Sequence, residues 1–339
     1  IDGACSIAGW QAALFAVGLP GLPLALLLLA IREPSRPVPA GLRTGPVVLR
    51  EVAAALPPLT FAVLLREAGR PALVRNLALA GAIAAVSATL VAATGDVAQW
   101  AAFGLGAYAV LTWGQVQAHR DPALFALTFG DRTYVMAVGA TALVACVGGA
   151  ANVWSAPYAM RTFNLSPTQI GLSLGLIHAA GGVIGVLLGG WLTDHWRARD
   201  LRAPMGMGAV ALLGIAPSLV VMMAAKDVNT FLAGSFAIGV FAASWSGSTA
   251  ALVQDLVLPR MRGAAAASYS LVAIVVSSGI GPYWAGKVSV LTGSLTAGLL
   301  SILLLGVPAL ALLWLTARRL PRETPEARLA MAVAAGEPG

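Results

Sequence analysis

Charge is scarce in this 339-residue chain: 10% of residues are Asp, Glu, Lys or Arg, against 58% hydrophobic, and the mean hydropathy is +0.83. Soluble globular domains carry about 25% charged residues, so a compact fold with a polar, water-facing surface is excluded. Cysteine is scarce too. Cys5 and Cys146 stand far apart, which rules out a disulfide framework and any metal-ligand spacing. The chain has no H-E-x-x-H, no G-x-x-x-x-G-K-[ST] and no G-x-G-x-x-G after a strand, so neither ATP chemistry nor a bound cofactor or metal is expected. Gly171-Leu172-Ser173-Leu174-Gly175 spells G-x-S-x-G, but it opens an apolar helix where that motif needs a strand–turn–helix elbow. Ser173 and His178 are five residues apart, ~140° around a helix, and point away from each other. The chain does not read as an enzyme.

Long uncharged runs take the place of these signals. A hydrocarbon core of ~30 Å is crossed by a helix of ~20 apolar residues, and the runs are too long for barrel strands of ~10 residues. The expected fold class is therefore all-α, a polytopic integral membrane protein with about nine transmembrane helices. They are placed at 11–31, 76–94, 97–117, 133–159, 168–193, 203–225, 229–254, 263–286 and 294–317. With that count, eighteen of the 21 basic residues fall in connections on one side; Arg161, Lys226 and Lys287 fall on the other. Basic residues accumulate in cytoplasmic loops. The C-terminus is thus expected in the cytoplasm, and the net charge of +7 reflects topology, not a nucleic-acid partner.

Between the helices, the connection 32–75 contains EVAAALPPLTFAVLLREAG, read as an interfacial amphipathic helix or as a partly ordered linker broken at Pro57-Pro58. The tail, 318–339, reads as a short surface helix followed by disorder. The chain starts at Ile1 without a basic leader and reads as part of a longer protein.

At one corner the charge concentrates. GGWLTDHWRARD, residues 189–200, closes one span and opens the next on the arginine-rich side. Gly190, Leu192 and Asp194, with Arg197 and Arg199, resemble the G-x-L-x-D-x-x-x-R loop of the major facilitator superfamily; His195, Arg197 and Ala198 depart from its usual pattern. Further stretches resemble the spinster-like branch in family order: GWQAALFAVGLPGLPLALLLLAIREP, WSAPYAMRTFNLSPTQIGLSLG, QDLVLPRMRGAAAA and GIGPYWAGKVS. The resemblance implies the last helix of an N-terminal bundle (1–31), the linker 32–75, an extra helix pair (76–118), a C-terminal six-helix bundle (133–317) and a cytoplasmic tail (318–339). It implies that Gly190, Asp194, Arg197 and Arg199 brace one conformation, and it marks Asp255, Arg260 and Arg262 as the second cytoplasmic loop. From the residues alone, Asp194 would pair with Arg197 or Arg199, or cap the following helix, while Gly189 and Gly190 would allow close helix approach.

No Asp, Glu, Lys or Arg falls in the middle of a span, and intramembrane ionisable groups mark function. His178 is the exception, on a face with Gly182, Gly185 and Gly189. It either packs there, donating to a backbone carbonyl, or lines a cavity and senses protons. The other candidate cavity residues are Asn152, Trp154, Ser244, Trp245, Ser248, Ser277 and Ser278, whereas the aliphatic spans 203–225 and 294–317 are assigned to lipid. Tyr158, Tyr283 and Trp284 near span ends fit an interfacial aromatic belt equally well. The function implied is secondary active or facilitative transport of small organic or amphiphilic, lipid-like solutes by alternating access, in a bacterial inner membrane. A coupling proton and the lipid bilayer are the other partners. The alternative is a non-transporting membrane sensor or assembly protein with a transporter-like fold. Lipid-modifying enzymes form a weaker third class.

Overall fold

The computed structural model describes residues 15, 18–30 and 59–337, and the chain divides into two compact units, Ile1–Leu49 and Arg50–Gly339. In the first unit the described helix is α1 (Gly21–Ala30), a leucine-rich segment with Leu22, Leu24 and Leu26–Leu29 all exposed. The remainder of the span 11–31 and most of the linker expected over 32–75 lie outside the described residues.

In the second unit every described element is helical. α2 (Leu59–Thr94) and α3 (Val97–Arg120) form an antiparallel hairpin, followed by the short α4 (Pro122–Leu127). α2 is longer than the span read at 76–94 because residues 59–75 are helical as well, with a bend at Gly69 (φ 74°, ψ −175°). That conformation is open to glycine, and Pro71 starts the next segment. The bundle proper consists of α5 (Arg132–Phe163), α6 (Pro167–Arg197), α7 (Ala203–Ala224), α8 (Val228–Ser244), α9 (Ser246–Asp255), α10 (Arg262–Thr292), α11 (Leu295–Ser301) and α12 (Leu303–Arg319). The tail contributes α13 (Pro325–Ala334). The spans read at 229–254 and 294–317 are each two helices, bent at Trp245 and Ile302.

Seven described helical segments are long and apolar enough to cross a membrane. α1 and α3 make up the count of about nine; α3 carries Gln99, Gln115 and Gln117, which lower its hydropathy. The long helices overrun their expected boundaries because 31 residues at ~1.5 Å each exceed the ~30 Å hydrocarbon thickness by more than a turn at each end.

Local signals explain the breaks. Asp131 caps α5 by accepting the N–H groups of Thr133 (3.2 Å) and Tyr134 (2.9 Å). α5 ends on Asn164 in the left-handed region (φ 51°). Ser166 and Gln169 then form a capping box ahead of α6, with Pro167 in the first turn. α5 sits at the centre, packed on α7, α8, α10 and α12. Its inward residues are small, including Ala137, Ala140, Ala142 and Ala150, all fully buried, so neighbouring backbones come close. α7, assigned to lipid from its aliphatic composition, buries Met205, Leu212, Ile215, Leu219 and Met222 against the bundle and exposes Leu213, Val220 and Val221. Aliphatic side chains serve both environments equally well, and composition could not separate them.

Candidate functional site

The charged corner lies at the end of α6, which stays helical through Arg197. Arg197 Nη2 donates to Asp255 Oδ2 at 2.6 Å, tying α6 to the end of α9. Asp194 and Arg199 are exposed, and neither side chain has a partner among the described residues. Asp194 therefore pairs with neither Arg197 nor Arg199; the Arg197 guanidinium is taken by Asp255 from the neighbouring span. Asp194 does not cap α7 either; Asp200 accepts the Arg202 N–H there, at 2.9 Å. His195 stacks on Trp191 at 5.9 Å.

Above this corner, α6 lies directly on α8. A Cβ at Gly181 would stand 3.0 Å from Phe236 O, one at Gly185 would fall on Val240 O, and one at Gly189 on Ser244 O. The contact ridge is therefore Gly181, Gly185 and Gly189, spaced by four. Gly182 and Gly190 have open space in front of them, so Gly181 stands where Gly182 was expected, and of Gly189 and Gly190 only Gly189 makes the close approach. The small-x-x-x-small spacing was the signal that distinguishes them. His178 precedes this ridge by one turn, and its Nε2 lies 2.9 Å from Ser235 Oγ on α8. Its partner is a hydroxyl, not a backbone carbonyl, because the ridge brings Ser235 within reach.

The candidate cavity residues divide into two groups. Ser244, Trp245 and Ser248 are buried at the bend between α8 and α9; Ser244 Oγ donates to Phe241 O and Ser248 Oγ to Trp245 O, both at 2.8 Å. These hydroxyls satisfy their own helices and brace the bend. Asn152 on α5 and Ser278 on α10 are exposed, Ser277 is half-buried, and none has a side-chain hydrogen bond among the described residues. Trp154 links the same two helices: its Nε1 donates to Pro282 O at 2.9 Å. Cys146 Sγ donates to Val276 O at 3.3 Å, and a Cβ at Gly281 would meet the Cys146 backbone. Of the candidate residues, those without a side-chain hydrogen bond among the described residues thus lie on the α5–α10 pair.

The tyrosines do more than form a belt. Tyr158 OH donates to Met223 O, and Tyr283 OH to Asp96. Asp96 also receives Lys287 Nζ at 2.6 Å, and these hydrogen bonds, that from Lys287 first, hold the Asp96 carboxyl below the usual range. This contact ties the α2–α3 hairpin to α10. Gln99 Nε2, which donates to Gly279 O, reinforces it. It was missed in sequence because its members lie almost two hundred positions apart.

The other described ion pairs all lie on the arginine-rich side, as alternation of the spans requires. Arg260 bridges Asp121 on one side and Glu337 on the other. Arg328, 2% exposed, meets Asp131 and Glu323 at 2.8 Å each. The tail helix α13 is thereby docked on α4 and the start of α5, so Arg328 is buried where a surface helix was expected. Arg262 is exposed and unpaired among the described residues. Among the described residues no three His, Cys, Asp or Glu side chains cluster as metal ligands.

Membrane-spanning helices around a central small-residue helix, an arginine-rich corner between two spans, and uncharged polar groups within the spans define a multi-pass membrane bundle. Residues 137–335 match the Major Facilitator Superfamily, more than half of the chain, and the chain belongs to that family. It is 32% identical over 201 residues to an MFS-type efflux pump of Mycolicibacterium smegmatis, a match covering 56% of this chain and 46% of that protein. It is 28% identical over 185 residues to protein spinster homolog 1 of Xenopus tropicalis, covering 50% of this chain and 33% of that one. The chain thus spans half or less of the length of these relatives. Its fold is similar to the crystal structure of a bacterial homolog of the human lysosomal transporter Spinster, inward-facing and unoccupied. The TM-score is 0.52 and the identity 17%, over 96% of this chain and 63% of that one. These likenesses agree with the spinster-like resemblance carried by the sequence.

Proposed function

We propose that the full-length protein is a secondary transporter that moves small organic or amphiphilic solutes across a bacterial inner membrane by alternating access. The observation that carries this reading is the α5–α10 pair. It holds Asn152, Ser277 and Ser278 without side-chain partners, in helices otherwise closely packed through Cys146, Gly281 and Trp154. Polar groups left unpaired in a membrane bundle are costly unless they meet water or solute. The absence of mid-span carboxylates and arginines in this half suits an amphiphile better than a strongly anionic solute. The relatives, an efflux pump and a spinster homolog, point the same way.

In this reading the arginine-rich side is cytoplasmic and the chain supplies one of two bundles that rock about a central site. Arg197–Asp255 holds α6 to α9 within the bundle, which leaves Asp194 and Arg199 free to contact the other bundle in one of the two states. His178, hydrogen-bonded to Ser235, lies well inside its span and is the candidate for proton coupling within this half.

The test is labelling of Asn152→Cys in the full-length protein on a cysteine-free background, with impermeant thiol reagents added from either side of oriented vesicles. Alternating access predicts reaction from both sides, with saturating solute shifting the balance between them. Reaction from one side only, under every solute condition, refutes the mechanism.

A further inference from the structure

Away from the α5–α10 pair, a crevice of about 830 Å³ opens between the α2–α3 hairpin and the α4–α5 segment. Its walls are apolar: Leu79, Leu111, Phe125, Phe129 and Val135. Phe125 stacks on Phe129 (6.2 Å) and Trp113 meets Phe129 edge-on (5.9 Å), so the aromatic wall is fixed. A smaller cavity of about 160 Å³ shares Phe129 and Val135 and continues toward Val138 and Val272. The polar side chain in the wall is accounted for: Gln115 donates to Ala72 O and accepts from Asn76.

At the arginine-rich end the crevice is lined by Arg75 and His119, with no carboxylate in its lining. The neighbouring arginines are committed. Arg120 holds Glu67, Arg260 holds Asp121 and Glu337, and Arg328 holds Asp131 and Glu323. Arg75 and His119 have no partner among the described residues. A cation that no internal carboxylate neutralises, at headgroup level above an apolar slot, complements a molecule with an anionic head and a hydrocarbon tail. The volume lies within the ~300–1,000 Å³ typical of ligand pockets.

We infer that this crevice is a binding site for an anionic diacyl phospholipid of the adjacent leaflet, its phosphate on Arg75 and His119 and an acyl chain along Leu79, Leu111 and Phe129. The site is separate from the face proposed to meet the transported solute, so its failure would leave that reading intact.

The experiment is native mass spectrometry of the delipidated full-length protein titrated with phosphatidylglycerol or phosphatidylcholine of identical chains. Wild type should retain phosphatidylglycerol in preference. Arg75→Gln should cut that preference about five-fold, since one cation near anionic headgroups is worth ~1 kcal/mol, and leave phosphatidylcholine unchanged. Arg75→Lys should restore most of it. Ala118→Phe, which fills the crevice from its lining, should abolish retention of both lipids, while thermal unfolding confirms an intact fold. Equal retention of the two lipids by wild type, no retention at all, or an undiminished preference in Arg75→Gln would overturn the proposal.

Discussion

Replacing Arg328 by methionine should release the C-terminal helix. The guanidinium is 2% exposed and lies 2.8 Å from carboxylates on Asp131 and Glu323, themselves 9% and 14% exposed. Taking one member out of a buried ionic group typically costs about 3–5 kcal/mol, because the remaining charges are left desolvated and unpaired. The low end applies here. Asp131 keeps the N–H groups of Thr133 and Tyr134, and Glu323 keeps the Thr133 hydroxyl at 2.6 Å. About 3 kcal/mol is a factor of roughly one hundred in the docking equilibrium. Hydrogen exchange of the 325–334 segment should therefore accelerate about a hundred-fold in Arg328→Met, while exchange in α5 beyond its first turn stays unchanged. The triple variant Arg328→Met, Asp131→Asn, Glu323→Gln removes the stranded charges and should recover most of the protection. Unchanged exchange in the single variant would show that apolar packing, not the ion pairs, holds the tail.

Four further outcomes follow from the contacts. Gly185→Leu should destabilise the α6–α8 contact by about 1–3 kcal/mol and Gly182→Leu should be near neutral, read by thermal unfolding in detergent, since only Gly185 has backbone in front of it. Trp154→Phe should cost about 0.5–1.5 kcal/mol in the same assay through loss of the bond to Pro282 O. The tail should also loosen in acid. Burial pushes the Asp121 carboxyl up, but its hydrogen bonds from Arg260 and Leu124 N–H outweigh this and hold it low; the Arg260 hydrogen bond holds Glu337 low. Both folded-state values are depressed, so their stabilisation is present above the ordinary carboxylate pKa of ~4 and is lost as pH falls through the depressed values. Exchange of 325–334 should then be flat from pH 7 to 5, after correction for intrinsic rates, and rise only below about 4. Lastly, Arg197→Cys should react with impermeant reagents only from the cytoplasmic side; reaction from outside would reverse the span order.

Much of this architecture was legible because lipid imposes simple rules. Uncharged runs located the helices, and Lys and Arg sorted them by side. The glycine phase was harder: the doublets Gly181-Gly182 and Gly189-Gly190 offer two faces ~100° apart, and one misassigned residue turns the ridge away from α8. Ser244 and Ser248 show a second ambiguity, since their hydroxyls bond their own helices. A hydroxyl in a helix can bond its own backbone, so polarity alone does not mark a cavity. The ionic contacts were illegible altogether. Arg260 with Asp121, Arg328 with Asp131 and Lys287 with Asp96 join positions far apart in the chain, and any of the arginines on that side satisfied the same charge rule. Over residues 59–75 the sequence left a helix and a linker equally open, since Arg66, Glu67, Arg70 and Pro71 interrupt an otherwise apolar segment that bends at Gly69.

The most direct test of the central claim is solute flux. Full-length protein reconstituted in sealed liposomes, with and without a proton gradient, should move at least one small organic or amphiphilic solute in a saturable manner, and Asp194→Asn should slow it without abolishing solute binding. Saturable binding with no flux of any solute, in vesicles shown to hold folded protein, would contradict the transporter account and favour a membrane sensor built on the same fold.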